Sequence, residues 1–195
     1  VAAALDAAAF GAILDRFGES TLNILRGWAE VERVPLVYFH DDIAMTRGLI
    51  FRPAWYREFV FPWYRRFVDV CHNAGQKVLF VSDGNYLAAL DDILETGVDG
   101  LAIESSAMDP AEVMKRAGRH RFYLTTVDNR VMDFGQPDDV NTQVQKLHDL
   151  HQEFPAMWIG RGGSVGNEHP NALAFSRSCR RLFGAGPEAR KGSDQ

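Results

Sequence analysis

Acidic, amide and guanidinium side chains recur along this chain wherever a short apolar segment ends. Asp41 and Asp42 follow the apolar segment 36–39, and Asp83 and Asn85 follow the next such segment. Carboxylates grouped in this way can share protons, bind a cation, or hold a cationic or hydroxylated substrate. The polar residues that we expect at the ends of predicted strands are Asp41, Asp42, Asp83, Asn85, Glu104, Asp128, Arg130 and Arg161.

These residues divide into two groups by their expected roles. We predict that Asp41, Asp42 and Asp83 are catalytic, with one member of the Asp41-Asp42 pair facing the mouth of the sheet and the other facing the loop. The remaining residues are predicted to bind substrate. A single strand-end acid can equally be a helix cap or a solvated loop residue, but four successive strands that each end in an acid favour a site. The predicted substrate-binding residues are Asn85, Glu104, Asp128, Arg130 and Arg161.

The glycine-rich turn around Arg161 has two interpretations. Glycines allow a close backbone approach, which suits a carboxylate or phosphate ligand beside the guanidinium group. Alternatively, Arg161 forms a structural salt bridge with a nearby acid.

No metal site is predicted from the sequence. Soft zinc sites use cysteine and histidine, whereas Cys71 and Cys179 both fall on helices and are expected to be structural. A hard cation held by Asp41, Asp83 and Glu104 is an open alternative, although no spacing requires it. His40 could contribute a ligand, but we expect a partly buried histidine with an ordinary hydrogen bond.

Apolar runs alternate with amphipathic stretches along the whole chain. The periodicity predicts a first helix over residues 3–30, interrupted at Gly18, and a second helix after Pro53 with a kink or break at Pro62. Later helices are expected over residues 86–95, from Asp109 onwards, and over residues 137–151 and 170–183. Five strands are predicted over residues 36–39, 77–81, 100–103, 122–127 and 157–159.

Strands that alternate with helices imply a parallel sheet with right-handed crossovers. An open doubly wound sheet and a TIM (β/α)8 barrel both satisfy this pattern. The dinucleotide-binding glycine fingerprint is missing, and polar residues end every strand, so the barrel is favoured. A barrel typically needs about 250 residues, so this chain would hold about five of the eight units. We predict one domain over residues 1–183 and a loose tail over residues 184–195.

Composition excludes several classes of protein. The net charge of -5 gives no basic surface for nucleic acid. No apolar run reaches the roughly 18 residues of a membrane helix, and the first residues lack a cationic segment typical of a signal peptide. Two cysteines among 195 residues fit a reducing compartment. We therefore expect a cytoplasmic protein that binds neither nucleic acid nor membranes.

Several motifs, in the right order, resemble the uroporphyrinogen decarboxylase superfamily, in particular its corrinoid-linked methyltransferases and demethylases. The resemblance covers roughly residues 20–180 and implies a (β/α) barrel whose active site lies at the carboxyl ends of the strands. Full members are longer, so the chain resembles their C-terminal portion. The matching segments are residues 41–44, 48–56, 64–77, 81–85, 95–100 and 108–112.

Departures from the family pattern narrow the activity that the resemblance implies. The decarboxylases carry Phe-Asp-Ser where this chain has His40-Asp41-Asp42, and Gly-His-Gly where it has Gly160-Arg161-Gly162. The zinc-dependent methyltransferases carry His-x-Cys after the strand that here ends at Asp83, and neither ligand is present. The resemblance therefore implies methyl transfer, or O- or N-demethylation of a small substrate, without a His-x-Cys zinc site.

The partners follow from the same resemblance. Methyl transfer implies a separate corrinoid protein that accepts the methyl group from a small-molecule substrate. A homodimer is a further expectation. The first alternative is a uroporphyrinogen or small-acid decarboxylase, a lyase of porphyrin biosynthesis. The second alternative is a non-catalytic fragment of a barrel.

Overall fold

The computed structural model describes residues 5–31 and 34–184. The predicted loose tail lies outside the described residues, apart from Gly184. The chain divides into two compact units, with the boundary between Ala102 and Ile103. Among the described residues, no helix is both long enough and apolar enough to cross a bilayer.

The first unit is built from three parallel strands with helices between them. Strand β1 pairs with β4 so that Phe39 lies opposite Phe80, and β4 pairs with β5 so that Leu79 lies opposite Gly100. The strands are β1 (Leu36–His40), β4 (Lys77–Val81) and β5 (Gly100–Ile103), whose last residue begins the second unit. The helices are α1 (Ala7–Ala29), α2 (Pro53–Phe59), α3 (Phe61–Asn73) and α4 (Leu90–Glu95).

The predicted interruption of the first helix at Gly18 is wrong, because α1 runs unbroken through this residue. Gly18 instead allows α1 to pack closely against the Trp63 ring. A Cβ atom at Gly18 would lie 2.2 Å from the Trp63 ring, so only glycine admits the indole at this distance. Leu22 and Leu25 bury the same helix further along. Because this packing stabilises the helix, it outweighs the cost of a glycine in the interior, which is about 1 kcal/mol.

The predicted break near Pro62 is confirmed. It falls at Val60, between α2 and α3, and Pro62 lies in the first turn of α3, where a missing backbone N–H group is tolerated. Two aromatic residues of α3 pack inward, since Tyr64 and Phe67 contact the ring of Phe39. These contacts attach α3 to β1.

Short elements next to the strands escaped the sequence analysis. A two-stranded antiparallel hairpin, β2 (Ala44–Met45) and β3 (Gly48–Leu49), follows β1. The helix expected over residues 86–95 begins as a 3-10 turn, Leu87–Ala89, before α4. Two-residue strands and single turns contain too few residues for a period to show in the sequence.

The second unit repeats the strand-helix pattern. Strands β6 and β7 are parallel, with Leu124 opposite Trp158. Asp109 caps the helix that follows β5, as its position before Pro110 predicts, by accepting a hydrogen bond from the Ala111 backbone. The elements are α5 (Pro110–Ala117), β6 (Phe122–Thr126), α6 (Asn129–Phe134), α7 (Pro137–Glu153), β7 (Met157–Gly160) and α8 (Pro170–Phe183).

The five predicted strands and the helices that follow them are therefore present. Strand β6 ends at Thr126, one residue earlier than predicted, and α7 continues two residues beyond His151. Helix α6 was not predicted as a separate helix. Because every parallel strand runs into a loop at its carboxyl end, the predicted site residues lie in these loops, except Arg130, which lies in the first turn of α6.

Candidate active site

Asp41 is held at the end of β1 by two hydrogen bonds. Its backbone N–H group donates to the carbonyl oxygen of Val81 over 3.0 Å, which extends the pairing of β1 with β4 by one residue. The hydroxyl group of Tyr64, on α3, donates to Asp41 Oδ2 over 2.6 Å. Tyr64 is only 2% exposed. Burial raises the pKa of its phenol well above the ordinary value, and the nearby Asp41 carboxylate adds to this rise, so the hydroxyl keeps its proton.

Asp42 turns to different partners. His40 is the last residue of β1, and Asp42 follows it by two positions. The two atoms His40 Nε2 and Asp42 Oδ1 are 2.9 Å apart, and the Asp83 backbone N–H group donates to the same oxygen over 2.9 Å. The hydrogen bond from Asp83 lowers the pKa of Asp42, and His40 lowers it further against the rise caused by partial burial. Asp42 is therefore a carboxylate at neutral pH.

A potential cation site lies at the same strand ends. One ligand atom each from His40, Asp42 and Asp83 lie within 4.8 Å of one another. An imidazole and two carboxylates form a nitrogen-oxygen ligand set, not the thiolate set of His-x-Cys zinc sites. The group of ligand atoms found here contains neither Cys71 nor Cys179. These residues fit an oxygen-rich cation site and do not fit a zinc-thiolate site.

Asn85 and Ser82 shape the loop after β4. The side-chain oxygen of Asn85 accepts a hydrogen bond from the Leu87 backbone over 3.1 Å and so begins the 3-10 turn. Ser82 Oγ accepts from the Ile43 backbone over 3.1 Å and donates to the Asp83 carbonyl oxygen over 3.0 Å. The amide nitrogen of Asn85 and the second lone pair of its oxygen are the groups that a substrate could contact.

A cavity of about 260 Å³ lies beside Asp41 in the first unit. Aromatic rings from the helices form most of its wall, while His40 and Asp41 supply its polar edge. Phe17 keeps 67% of its surface exposed, so one side of the cavity is open to solvent. The cavity is lined by Leu14, Phe17, Gly18, Thr21, Phe39, His40, Asp41, Phe59, Val60, Trp63, Tyr64 and Phe67.

In the second unit, Glu104, Asp128 and Arg130 form a hydrogen-bonded group. Ser106 Oγ donates to Glu104 Oε1 over 2.5 Å, and Arg130 donates to the Ser106 carbonyl oxygen over 3.3 Å. The Arg130 guanidinium group lies 2.7 Å from Asp128 Oδ2. This hydrogen bond lowers the pKa of Asp128 against the opposing effect of burial. Asp128 and Arg130 are thus each other's nearest partners, and Asp128 also caps α6.

The glycine-rich turn after β7 is filled by side chains of α6. Asn129 Oδ1 accepts from the Gly163 backbone over 2.8 Å, and Asp133 Oδ1 accepts from the Ser164 backbone over 2.6 Å. Arg161 donates to Asn167 Oδ1 over 3.0 Å, so neither a salt bridge to an acid nor an open backbone cradle describes the turn. Two N–H groups that an anionic ligand would use are already occupied.

The structure thus brings His40, Asp42 and Asp83 together in the first unit, with Asp41 held separately by Tyr64. The sequence predicted a partly buried His40, whereas the structure exposes this residue. No role was predicted for Tyr64. The His-x-Asp spacing on a strand could have identified His40, because alternate residues share a side. Nothing in the sequence pairs Tyr64 with Asp41, which are 23 positions apart. A cleft shared by the two units stays a prediction.

Parallel strands with ionisable groups at their carboxyl ends are the arrangement of a (β/α)-barrel enzyme. A family comparison agrees with this class. The sequence model of uroporphyrinogen decarboxylase (URO-D) matches residues 3–163. The chain belongs to the uroporphyrinogen decarboxylase family, and the superfamily expected from its motifs is confirmed.

One of two solved structures compared with the chain supports the fold. A methyltransferase from Methanosarcina mazei superposes with a TM-score of 0.64 at 14% identity, over 85% of this chain and 47% of that protein. An HpcH/HpaI aldolase from Desulfitobacterium hafniense DCB-2 gives a TM-score of 0.45 at 16% identity, over 83% of this chain and 70% of that protein. The chain spans about half the length of the methyltransferase. No curated protein matches its sequence. The fold is a (β/α)8 barrel, of which this chain holds about five units.

Proposed function

We propose that this chain belongs to an enzyme that takes a methyl group from a small O- or N-methylated substrate and passes it to a corrinoid protein. The observation that carries the proposal is the charge of the strand-end site. Asp41, Asp42 and Asp83 place three carboxylates at the ends of β1 and β4 in the first unit. Like charges repel, so this site suits a neutral or cationic substrate better than a porphyrinogen with eight carboxylates.

The fold likeness to a methyltransferase supports the same proposal, as does the aromatic cavity beside Asp41. A cavity of about 260 Å³ accommodates a small apolar group and not a macrocycle. The corrinoid of the partner protein would supply the methyl acceptor. The chain's own residues would bind the methylated substrate and exclude water from the methyl group.

The predicted site residues take the following roles in this proposal. Asp41 or Asp42 would pass a proton to the heteroatom as its bond to the methyl group breaks and the methyl group goes to the corrinoid, and Tyr64 fixes the position of Asp41 by its hydrogen bond. Asp83 and Asn85 hold the substrate or a cation. In the second unit, Glu104 and Asp128 act as secondary polar groups, and Arg130 and Arg161 contact an anionic group.

Methyl transfer to free cob(I)alamin tests the proposal. The purified protein is incubated with a panel of methylamines and methyl ethers, and formation of methylcobalamin is followed by its absorbance. We expect transfer from at least one donor, and a loss of about 100-fold or more in Asp41→Asn, since general acid-base groups contribute about 10²–10⁴-fold. Asp149→Asn, an exposed change on α7, is the matched control. Failure with every donor would contradict the proposal.

A second candidate function rests on the family match itself. The match to uroporphyrinogen decarboxylase over residues 3–163 favours decarboxylation of a porphyrinogen or a smaller acid. Chromatographic analysis of the products formed from uroporphyrinogen distinguishes this candidate. Stepwise loss of carboxyl groups, without methyl transfer to cob(I)alamin, would replace the first proposal by the second. The absence of both reactions would favour the non-catalytic alternative.

A further inference from the structure

His40, Asp42 and Asp83 come from two neighbouring strands but present their ligand atoms at one place. His40 ends β1, Asp42 follows two residues later, and Asp83 follows the end of β4, whose Val81 lies opposite His40. The parallel register therefore brings the three side chains together without a long loop. All three are exposed, so an ion from solvent can reach them.

The distances agree with coordination of one small cation. Neighbouring ligands of an octahedral ion about 2.1 Å away are about 3.0 Å apart, and opposite ligands are about 4.2 Å apart. His40 Nε2 and Asp42 Oδ1 are 2.9 Å apart, and no pair among the three ligand atoms exceeds 4.8 Å.

A second histidine-aspartate pair in the first unit provides a comparison. His72 Nε2 lies 2.8 Å from Asp99 Oδ2, and the third group there is the Lys77 ammonium, 2.8 Å from the other carboxylate oxygen. At His40 and Asp42 the third group is another carboxylate. The cluster of His72, Asp99 and Lys77 therefore contains one carboxylate and two basic groups, whereas His40, Asp42 and Asp83 offer three potential metal ligands.

Surrounding groups orient the ligands and leave room for a further one. The Asp83 backbone N–H group donates to Asp42 Oδ1 and so fixes the direction of that carboxylate, as outer hydrogen bonds do in metal sites. His40 also borders the aromatic cavity of about 260 Å³. A cation bound here would have free positions for water or for a polar atom of a small molecule in that cavity.

We propose that His40, Asp42 and Asp83 bind one divalent transition-metal cation through an imidazole nitrogen and two carboxylate oxygens. The mixed ligand set favours Mn²⁺ or Zn²⁺ over Ca²⁺, because imidazole is a poor ligand for Ca²⁺. This ligand set contains no thiolate. Metal binding at this site is a property separate from methyl transfer, and it is measured without any methyl donor.

Metal titration of the purified, chelator-treated chain tests this site. Mn²⁺ is added while the free ion is measured by electron paramagnetic resonance, and Zn²⁺ is titrated by calorimetry. We expect one saturable site per chain. His40→Gln and Asp83→Asn should each weaken binding about 10-fold or more, since removing a ligand costs at least as much as removing its outer hydrogen bond. His72→Gln, which alters the comparable pair, should leave the affinity unchanged.

NMR and circular dichroism measurements make the result of the metal titration unambiguous. Paramagnetic broadening by Mn²⁺ should affect the His40 ring signal in NMR spectra and spare that of His72. Circular dichroism verifies the fold of each variant, and His40→Gln changes an exposed side chain, so it gives a result even if Asp83→Asn does not fold. No saturable binding, or binding that His40→Gln leaves intact, would overturn the proposal. Metal binding without methyl transfer would refute only the proposed function.

Discussion

A single hydroxyl group connects α3 to the end of β1. Tyr64 donates to Asp41 Oδ2 from a position that is 2% exposed. In Tyr64→Phe the ring packing is kept and the hydrogen bond is lost. We expect the free energy of unfolding to fall by about 1–2 kcal/mol. Hydrogen bonds to charged groups contribute about 1.5–3 kcal/mol, and this one should contribute less because Asp41 is exposed to water. Urea denaturation monitored by fluorescence measures this loss.

Tyr38→Phe is the control for this prediction. Tyr38 lies on β1 as well, but it is 55% exposed, so removal of its hydroxyl group should change the free energy of unfolding by less than about 0.5 kcal/mol. Equal losses in the two variants would show that the bond from Tyr64 to Asp41 contributes nothing specific.

Asp99 makes the stability of the first unit depend on pH. Burial by itself would raise the pKa of Asp99, but hydrogen bonds from Lys77, His72 and the Val78 backbone together lower it. A carboxyl group with a lowered folded-state pKa stabilises the fold above its unfolded pKa, about 3.9, and loses this contribution as the pH falls through the lower value. We expect Asp99→Asn to be destabilised most at neutral pH.

Unfolding measured by urea between pH 7 and pH 2 tests the sign of this effect. The difference between the native chain and Asp99→Asn should shrink as the pH falls below about 4. Asp149→Asn, whose exposed carboxylate accepts a hydrogen bond from Gln145, should show no such convergence. A constant difference at all pH values would assign the role of Asp99 to packing.

At the scale of elements, Gly84 fixes the hairpin against the loop that follows β4. Its φ of +79° is in the left-handed region, and a Cβ atom would lie 2.6 Å from the Met45 backbone. Gly75 has φ +75° but open space around it. We expect Gly75→Ala to cost about 1–2 kcal/mol for the backbone conformation, and Gly84→Ala to cost about 1–3 kcal/mol more for the clash.

Thermal and urea denaturation of both alanine variants test this comparison. Gly75→Ala measures the backbone term alone, so the difference between the variants isolates the contact of residue 84 with the hairpin. Equal destabilisation would mean that the hairpin moves aside without cost.

Helix α6 holds the glycine-rich turn through one carboxylate. Asp133 accepts hydrogen bonds from the backbones of Ser164 and Val165, over 2.6 and 3.2 Å, and from the Ser164 hydroxyl. In Asp133→Ala these N–H groups lose their partner. We expect faster hydrogen exchange at Ser164 and Val165, with exchange in β6 unchanged. Asp138→Ala, on α7, serves as the control, and unchanged exchange at the turn would contradict this account.

The sequence predicted elements where many residues share one period. Strand β5, and β4 after its exposed first residue Lys77, are apolar runs that the structure buries, and Pro110 marks the beginning of α5. Gly18 misled the prediction because its partner, Trp63, is distant in the sequence. Helix α6 and the hairpin were missed since a six-residue helix or a pair of two-residue strands is too short to show a period.

The candidate site was predictable in composition and less so in geometry. Acids at strand ends follow from the sequence alone, and Asp42 and Asp83 do lie together in the structure. The pairing of Asp128 with Arg130 and of Asp41 with Tyr64 depends on rotamers and on the packing of α3, which no local pattern encodes. The sequence therefore indicates which polar groups lie at the strand ends, and the tertiary structure determines which of them form hydrogen bonds or ion pairs with each other.

At the scale of the whole molecule, the chain spans about half of the methyltransferase that it resembles in fold. The activity, the corrinoid partner and the predicted homodimer are for this reason proposals about the whole protein.

The two thiols of the chain are divided between its compact units, Cys71 in the first and Cys179 in the second. Burial raises the pKa of both thiols, so an alkylating reagent should modify them slowly until the surrounding unit opens. The labelling rate of each thiol therefore reports the opening of its own unit. Pulsed alkylation read by mass spectrometry should reveal whether the halves melt in one concerted event, with matching labelling rates, or one before the other.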